Sequence, residues 1–254
     1  MIVGFIPKPL VTFLGLIMTL MLLGLEGSPG DWVEQRTAML RSIEADVQRN
    51  SHILGRPKLS APVARAMARV PRHEFVPSEY RHRSYENNPL PIGLGQTISQ
   101  PSIVALMTDL LAVSATDTVL EVGTGSGYQA AVLSEVVSLV HSIEIVPELA
   151  QSARKRLARL GYDNVVVHQG DGYMGLPDDA PFDAIMVTAA APQVPGPLLE
   201  QLKPGGRLVI PVGPAAYTQW LTVWTRDEEG LFHEEALLPV RFVPLTRQSS
   251  GGGD

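Results

Sequence analysis

Three patterns of apolar and polar positions divide the chain. From Leu10 to Leu25 runs an uncharged, Leu- and Met-rich stretch, preceded by Lys8 and followed by Glu26-Gly-Ser-Pro-Gly30. At about 16 residues it falls short of the ~20 that span a bilayer as a helix. It reads as a signal-peptide core or a weak membrane anchor within residues 1–30, or as an extension ahead of a start at Met39. The second pattern is helical. Val33, Met39, Leu40, Ile43 and Val47 recur near one face and predict a helix from Trp32 to Asn50. A second helix is expected from Pro62 to Val70, stopped by Pro71. A third starts at Pro101, with Ile103, Leu106, Met107, Leu110 and Leu111 on its apolar side. Between these two, Pro77 to Gln100 carries Pro89, Pro91, Gly93 and Gly95 and reads as a long loop. Loops of that length in a compact domain are mostly functional or disordered.

The third pattern begins at Thr118, where short strand-like runs alternate with amphipathic ones. Strands are expected at Thr118–Val122, Leu139–Ile145, Val165–Gln169, Ala184–Val187 and Arg207–Pro211. Helices are expected at Gln129–Val137, Pro147–Leu160 and Pro197–Leu202. Such alternation builds βαβ units, and hence an α/β fold with a doubly wound, mostly parallel sheet. Trp220–Thr225, a turn at Asp227–Gly230 and Leu231–Val243 then read as antiparallel C-terminal edge strands. The expected organisation is a leader over 1–30, a helical extension over 31–60, an α/β domain over 61–247 and a disordered tail over 248–254.

Composition narrows the chemistry. The 254 residues suffice for one such domain. Twenty Lys and Arg against 26 Asp and Glu give a net charge of −6 with no basic stripe, which speaks against a nucleic-acid partner. The chain has no cysteine, so disulfides, thiolate zinc sites and a Cys nucleophile are excluded. No pair among its six histidines has zinc-ligand helical spacing, and there is no H-E-x-x-H, so no metal site is assigned. His141 and His168 fall in expected strands and read as packing residues, as do Trp220 and Trp224; Asp178-Asp179 reads as a solvated turn.

The sharpest local signal is Glu121-Val-Gly123-Thr-Gly125-Ser-Gly127, between a strand and a helix. Glycines let the backbone turn tightly and approach a ligand, and the helix behind them presents free N–H groups. The dinucleotide fingerprint is G-x-G-x-x-G; here the spacing is G-x-G-x-G and Tyr128 takes the place of the last glycine. That departure points away from a pyrophosphate and toward S-adenosylmethionine. Glu144 ends the next strand, where an acid accepts hydrogen bonds from ribose hydroxyls; a solvated strand-end carboxylate is the bland alternative. Gly170-Asp171-Gly172 ends the third strand, where Asp171 accepts an adenine amine or simply makes a turn. Ser99, just before Pro101, reads from its position as a helix cap.

The chain resembles the protein-L-isoaspartate O-methyltransferases. The similar segments are Val70-Pro-Arg-His-Glu-Phe-Val-Pro77, Pro91-Ile-Gly-Leu-Gly-Gln-Thr-Ile-Ser-Gln-Pro101, Val119-Leu-Glu-Val-Gly-Thr-Gly-Ser-Gly-Tyr-Gln129, Phe182-Asp-Ala-Ile-Met-Val-Thr-Ala-Ala-Ala-Pro192, Leu202-Lys-Pro-Gly-Gly206 and Arg241-Phe-Val-Pro-Leu245. They run from about Val63 to Leu245. The extension to about Asn50 departs from the family pattern. The resemblance implies a Rossmann-like class I methyltransferase fold, S-adenosyl-L-methionine as cofactor, and methylation of the free carboxyl of L-isoaspartyl residues in damaged proteins, which starts their repair. It implies Ser99 as the active-site serine. It implies Gln96, Thr97, Ile98, Ser99, Gly123, Gly125, Glu144, Asp171, Gly172 and Thr246 as the cofactor-binding set. Expected partners are isoaspartyl proteins and peptides, with a membrane tether through residues 10–25 as an option. The chain is read as a cytoplasmic monomer, with a membrane-tethered or exported protein as the alternative. A methyltransferase with a small-molecule acceptor, an NAD-dependent oxidoreductase and a non-catalytic binding module are the competing readings.

An α-carboxyl has a reference pKa of about 3.3–3.7, so such an acceptor is already ionised near neutral pH. No general base is required, and positioning carries the catalysis. The Arg241–Leu245 run is expected as an edge strand that pairs with an extended peptide.

Overall fold

The computed structural model describes residues 29–214 and 217–247. The apolar run Leu10–Leu25, with the tether assigned to it, and the tail 248–254 lie outside them. Among the described residues no helix is long and apolar enough to cross a membrane.

Helices α1 (Pro29–Arg49) and α2 (Ser51–Leu54) precede α3 (Ala61–Arg69). Met39, Ile43 and Val47 of α1 are buried in one core with Val63 and Met67 of α3. Val33, assigned to that face by spacing, is 65% exposed. The inward stripe runs instead through Trp32 and Arg36, about 100° and about 60° round the helix from Val33. Trp32 lies parallel to the His73 ring, with centroids 4.6 Å apart. Arg36 donates to the Ala68 carbonyl (2.9 Å) and to Tyr85 Oη (3.0 Å). Farther along, Asp46 accepts from Asn87 (2.7 Å) and Ser102 (2.5 Å), so α1 is fastened along its length.

Two 3-10 turns, Arg72–Phe75 and Ser78–Arg83, lead into a hairpin of β1 (Leu90–Gly93) and β2 (Gln96–Ile98). The loop expected from Pro77 to Gln100 thus carries structure. Its strands have only four and three residues, too few for a period-two signal. The reversal places Gly93, Leu94 and Gly95 at φ of 92°, 52° and 74°.

After α4 (Pro101–Leu110) the expected alternation appears: β3 (Thr118–Val122), α5 (Tyr128–Ser134), β4 (Leu139–Glu144), α6 (Pro147–Leu160), β5 (Val165–Gln169), β6 (Phe182–Val187), α7 (Gly196–Glu200), β7 (Leu202–Val212), β8 (Gln219–Arg226) and β9 (Phe232–Val240). The sheet order is β5-β4-β3-β6-β7-β8-β9. Strands β3 to β7 pair in parallel, and β8 and β9 add antiparallel. The fold is therefore the expected α/β doubly wound sheet with an antiparallel C-terminal edge. Central strands are apolar on both faces because both are covered: Val119, Val140 and Ala184 pack in one core, Leu120, Ile143 and Ile185 in the other. Strand β7 starts at Leu202, five residues before the expected Arg207, because Leu202 pairs with Phe182 across a register shift.

Two features position the site. From β3 the chain winds outward to β4 and β5, then returns to β6 on the other side of β3, creating a switch point at the carboxyl ends of β3 and β6. The Arg241–Leu245 run is not an edge strand. It crosses over the strand ends, where Ala190 donates to the Val243 carbonyl and Leu245 donates to the Ala190 carbonyl, both at 2.8 Å. Its ladder groups at those positions are already paired within the chain, which removes the peptide-pairing edge expected there.

Candidate active site

The strand ends converge on one cleft. Gly123 follows β3, Glu144 ends β4, Gly172 follows β5 and Thr188 follows β6. With Gln96 and Thr97 of the hairpin and Val243 to Thr246 of the crossing segment, they line about 560 Å³ of empty space open to solvent.

The floor is shaped by missing side chains. Gly123 has φ of 100°, and a Cβ there would meet Thr188 Oγ1 at 2.4 Å. That hydroxyl donates to the carbonyls of Val122 (3.0 Å) and Gly123 (2.7 Å), so it cannot yield freely. A Cβ on Gly172 would meet Val122 Cγ1 at 2.4 Å. Only glycine fits at these two strand ends without displacing Thr188 or Val122, so the cleft is lined there by backbone alone.

Glu144 joins the loop to the wall. It is 6% exposed, and its Oε2 accepts from the Gly125 amide at 2.8 Å while Oε1 accepts from the Val146 amide at 3.0 Å. Each carboxylate oxygen has a second lone pair, so both can still accept from ribose hydroxyls. Beneath the loop lies a second acid. Glu121 is fully buried; Ser142 Oγ donates to its Oε2, and Ser142 and Thr124 share a hydrogen bond of 2.5 Å. Its Oε1 has no hydrogen-bond partner among the described residues. Burial, reinforced by the neighbouring Glu144, raises the Glu121 carboxyl to about 8 against the pull of the Ser142 hydrogen bond. It is therefore largely protonated at neutral pH.

A second pocket opens beside the first, sharing Thr97, Thr188 and Val243. It holds Ser99, Gln100 and Arg241, and Arg241 is the one charged side chain among the described residues that line it. The helix-cap reading of Ser99 does not hold: α4 takes Gln100 as its N-cap residue, and no side chain caps it. Ser99 is held instead through its carbonyl, which accepts from Arg72 Nη2 at 2.8 Å. Arg72 is fully buried, donates from Nε to the Ser84 carbonyl at 2.8 Å, and lies over the Tyr128 ring at 4.7 Å.

Of the cofactor-binding residues expected from sequence, Gln96, Thr97, Gly123, Gly125, Glu144, Gly172 and Thr246 line the cleft. Ser99 lines the adjoining pocket. Ile98 is 4% exposed and packed in the core, outside the lining of both pockets. Asp171 sits beside Gly172 but outside the lining, its Oδ1 accepting from the Tyr173 amide at 2.9 Å in the turn arrangement. Sequence reasoning gave no role to Glu121, Arg72, Thr188 or Arg241, though all four lie in the quoted segments. A charged residue within an apolar run, as at Glu121 in Thr118-Val-Leu-Glu-Val122, is the signal that could have singled out one of them.

The family model described as protein-L-isoaspartate(D-aspartate) O-methyltransferase matches residues 50–250. A protein-L-isoaspartate O-methyltransferase 2 of Syntrophobacter fumaroxidans is 59% identical over 211 residues, covering 83% of this chain and 85% of that protein. A protein-L-isoaspartate O-methyltransferase 1 of Cupriavidus necator is 50% identical over 240 residues, 94% of this chain and 93% of that one. The second match reaches well ahead of Asn50, so the N-terminal extension is shared with that relative rather than foreign to the family. A Plasmodium falciparum structure described as a protein-L-isoaspartate O-methyltransferase, in complex with S-adenosyl-L-homocysteine, superimposes with a TM-score of 0.66 at 25% identity, covering 82% of this chain and 98% of that one.

Proposed function

The chain belongs to the protein-L-isoaspartate(D-aspartate) O-methyltransferase family, and from that premise we infer that it transfers a methyl group from S-adenosyl-L-methionine to the free carboxyl of L-isoaspartyl residues in damaged proteins. The observation that carries the reading is the acceptor pocket. It adjoins the cofactor cleft, contains Ser99 and the Arg241 cation, and has no acid or histidine among the described residues that line it. Such a pocket suits an anionic acceptor that needs no proton removed.

The cleft fits the cofactor: Gly123 and Gly172 line it with backbone alone, and Glu144 offers lone pairs from a fixed position. Glu144 would hold the ribose hydroxyls, Gly123 and Gly125 the amino-acid part, and Gly172, beside Asp171, the adenine side. Gln96, Thr97 and Thr246 would close over it. Bound there, S-adenosylmethionine supplies a sulfonium methyl, to which the acceptor oxygen bonds as the carbon–sulfur bond breaks, leaving a methyl ester and S-adenosylhomocysteine. Ser99 Oγ aims the carboxylate, and Arg241 draws it in from the pocket mouth. Neither group should grip hard, because the carboxylate loses its charge on the way to the ester, and ground-state binding alone does not speed the step.

Ser99→Ala should lower kcat by about tenfold or more while the dissociation constant for S-adenosylhomocysteine stays within about twofold. Arg241→Gln should chiefly raise KM for an isoaspartyl peptide. Steady-state rates with calorimetric titration separate the two. An equal loss of binding and turnover in Ser99→Ala would assign that residue to folding or to the cofactor instead.

We place this domain in the cytoplasm, since S-adenosylmethionine is made there, and propose that it is a monomer. Cell fractionation with N-terminal sequencing, and light scattering of the purified chain, check both points.

A further inference from the structure

His141 and His168 are far apart in sequence and were set aside as packing residues, but the sheet register makes them neighbours. In the parallel pair β4–β5, His141 lies opposite Val166, and His168 is two residues beyond Val166, so both histidines point to one face. His141 Nδ1 and His168 Nε2 are 3.1 Å apart, with ring planes 19° from parallel. Asp179, in the segment before β6, brings Oδ2 to 3.8 Å from the same His141 nitrogen. The three ligand atoms all lie within 4.8 Å of one another. The Phe182 ring meets His141 at 60°, with centroids 5.8 Å apart, and walls one side.

Two explanations compete. A hydrogen bond between the imidazoles accounts for the 3.1 Å contact, yet leaves the carboxylate oxygen too far for a hydrogen bond to His141. A shared cation accounts for both spacings. Zinc bonds of about 2.0–2.1 Å in tetrahedral geometry set neighbouring ligand atoms roughly 3.3–3.4 Å apart, between the two observed distances. We propose that His141, His168 and Asp179 form a binding site for one divalent cation of the zinc class, tying β4 and β5 to the segment that enters β6.

Two imidazoles and a carboxylate suit such a cation, and the chain has no thiolate to compete for it. Arg154, the cation that also faces His168, donates to the Val167 carbonyl at 2.8 Å, so its hydrogen bond is directed at the backbone. None of the three ligands lines the cofactor cleft. The site nevertheless bears on it, because β4 ends at Glu144 and β5 leads to Gly172. The ion's role is to brace those strand ends.

The test is a titration of zinc chloride into the full chain after chelator dialysis, read by calorimetry and thermal unfolding. The wild type should bind one zinc per chain with Kd of about 1 µM or tighter, and its Tm should rise with zinc through linkage. His168→Gln and Asp179→Asn should each weaken binding by about tenfold or more, as losing a ligand does, and should abolish the rise in Tm. His233→Gln, which alters an exposed histidine paired with Asp227, should change neither. If His168→Gln does not fold, the partly exposed Asp179 decides alone. No binding by the wild type at about 100 µM zinc, or undiminished binding in either folded ligand variant, overturns the proposal in favour of a histidine–histidine hydrogen bond. Neither measurement depends on methyl transfer, so failure here leaves the enzymatic reading untouched.

Discussion

Glu144 accepts amide hydrogen bonds from Gly125 and Val146 before any ligand arrives, so the side chain expected to hold the ribose also sets the glycine loop. Glu144→Ala should therefore weaken S-adenosylmethionine binding by more than about 1 kcal/mol, the size of a hydrogen bond to a charged group. Glu144→Gln, which keeps one acceptor oxygen, should fall between. Calorimetric titration reads both, and an unchanged dissociation constant in Glu144→Ala would remove the residue from the site. The place of Glu144, Gly123 and Gly125 in the cleft was legible from sequence because it depends only on lying at a strand end within one βαβ unit. Thr188 was not. Its hydroxyl meets Gly123 across the β3–β6 pair, a contact over 65 positions that no local pattern encodes. His141 and His168 were hidden for the same reason, since a parallel register rather than a helical spacing joins them.

The hairpin β1–β2 is the element that sequence reading missed, and it is the one that brings Gln96 and Thr97 to the cleft and leads into Ser99. Its strands are too short to propagate a pattern, and Pro91 and the glycines read as loop. What holds it is remote in sequence. Arg72 donates to the carbonyls of Ser84 and Ser99, gathering both ends of the segment from 84 to 99 around one buried guanidinium. Arg72→Met keeps much of the bulk but leaves those carbonyls without their charged donor. It should lower unfolding stability by about 3 kcal/mol or more, given two hydrogen bonds of roughly 1.5–3 kcal/mol each, and should reduce kcat more than cofactor affinity. Urea melts and rate assays check this; a variant with wild-type stability would show that the hairpin is held by its own contacts. Helix α1 shows the opposite balance. Its stripe through Met39, Ile43 and Val47 was readable, whereas Val33 was misplaced because the inward stripe continues through Arg36, a polar residue that an apolar pattern skips.

For the molecule as a whole, alternating strands and helices were enough to foresee the parallel sheet and its antiparallel edge, because burial of both sheet faces writes itself into the apolar runs. The crossing of Arg241–Leu245 over the strand ends was not foreseeable, since an apolar run containing a proline fits an edge strand equally well. One global property follows from a single buried acid. Glu121 has an ordinary value of 4.5, raised by burial to about 8 in the folded chain. Its contribution to stability is fully present below the unfolded value and is lost as pH climbs through the folded one, because the unfolded chain releases the proton first. Stability should therefore fall between about pH 5 and about pH 8, and Glu121→Gln, which cannot ionise, should flatten that fall. Thermal melts across the range decide it; parallel curves for the two proteins would mean that Glu121 is charged in the folded chain. The enzymatic reading itself turns on one comparison: labelled methyl transfer from S-adenosylmethionine to two peptides that differ only in an isoaspartyl or a normal aspartyl linkage. Methyl ester should form on the isoaspartyl peptide and stay at background on its partner. Equal labelling of the two, or none on either from a chain that binds S-adenosylhomocysteine, would contradict the assignment of this acceptor.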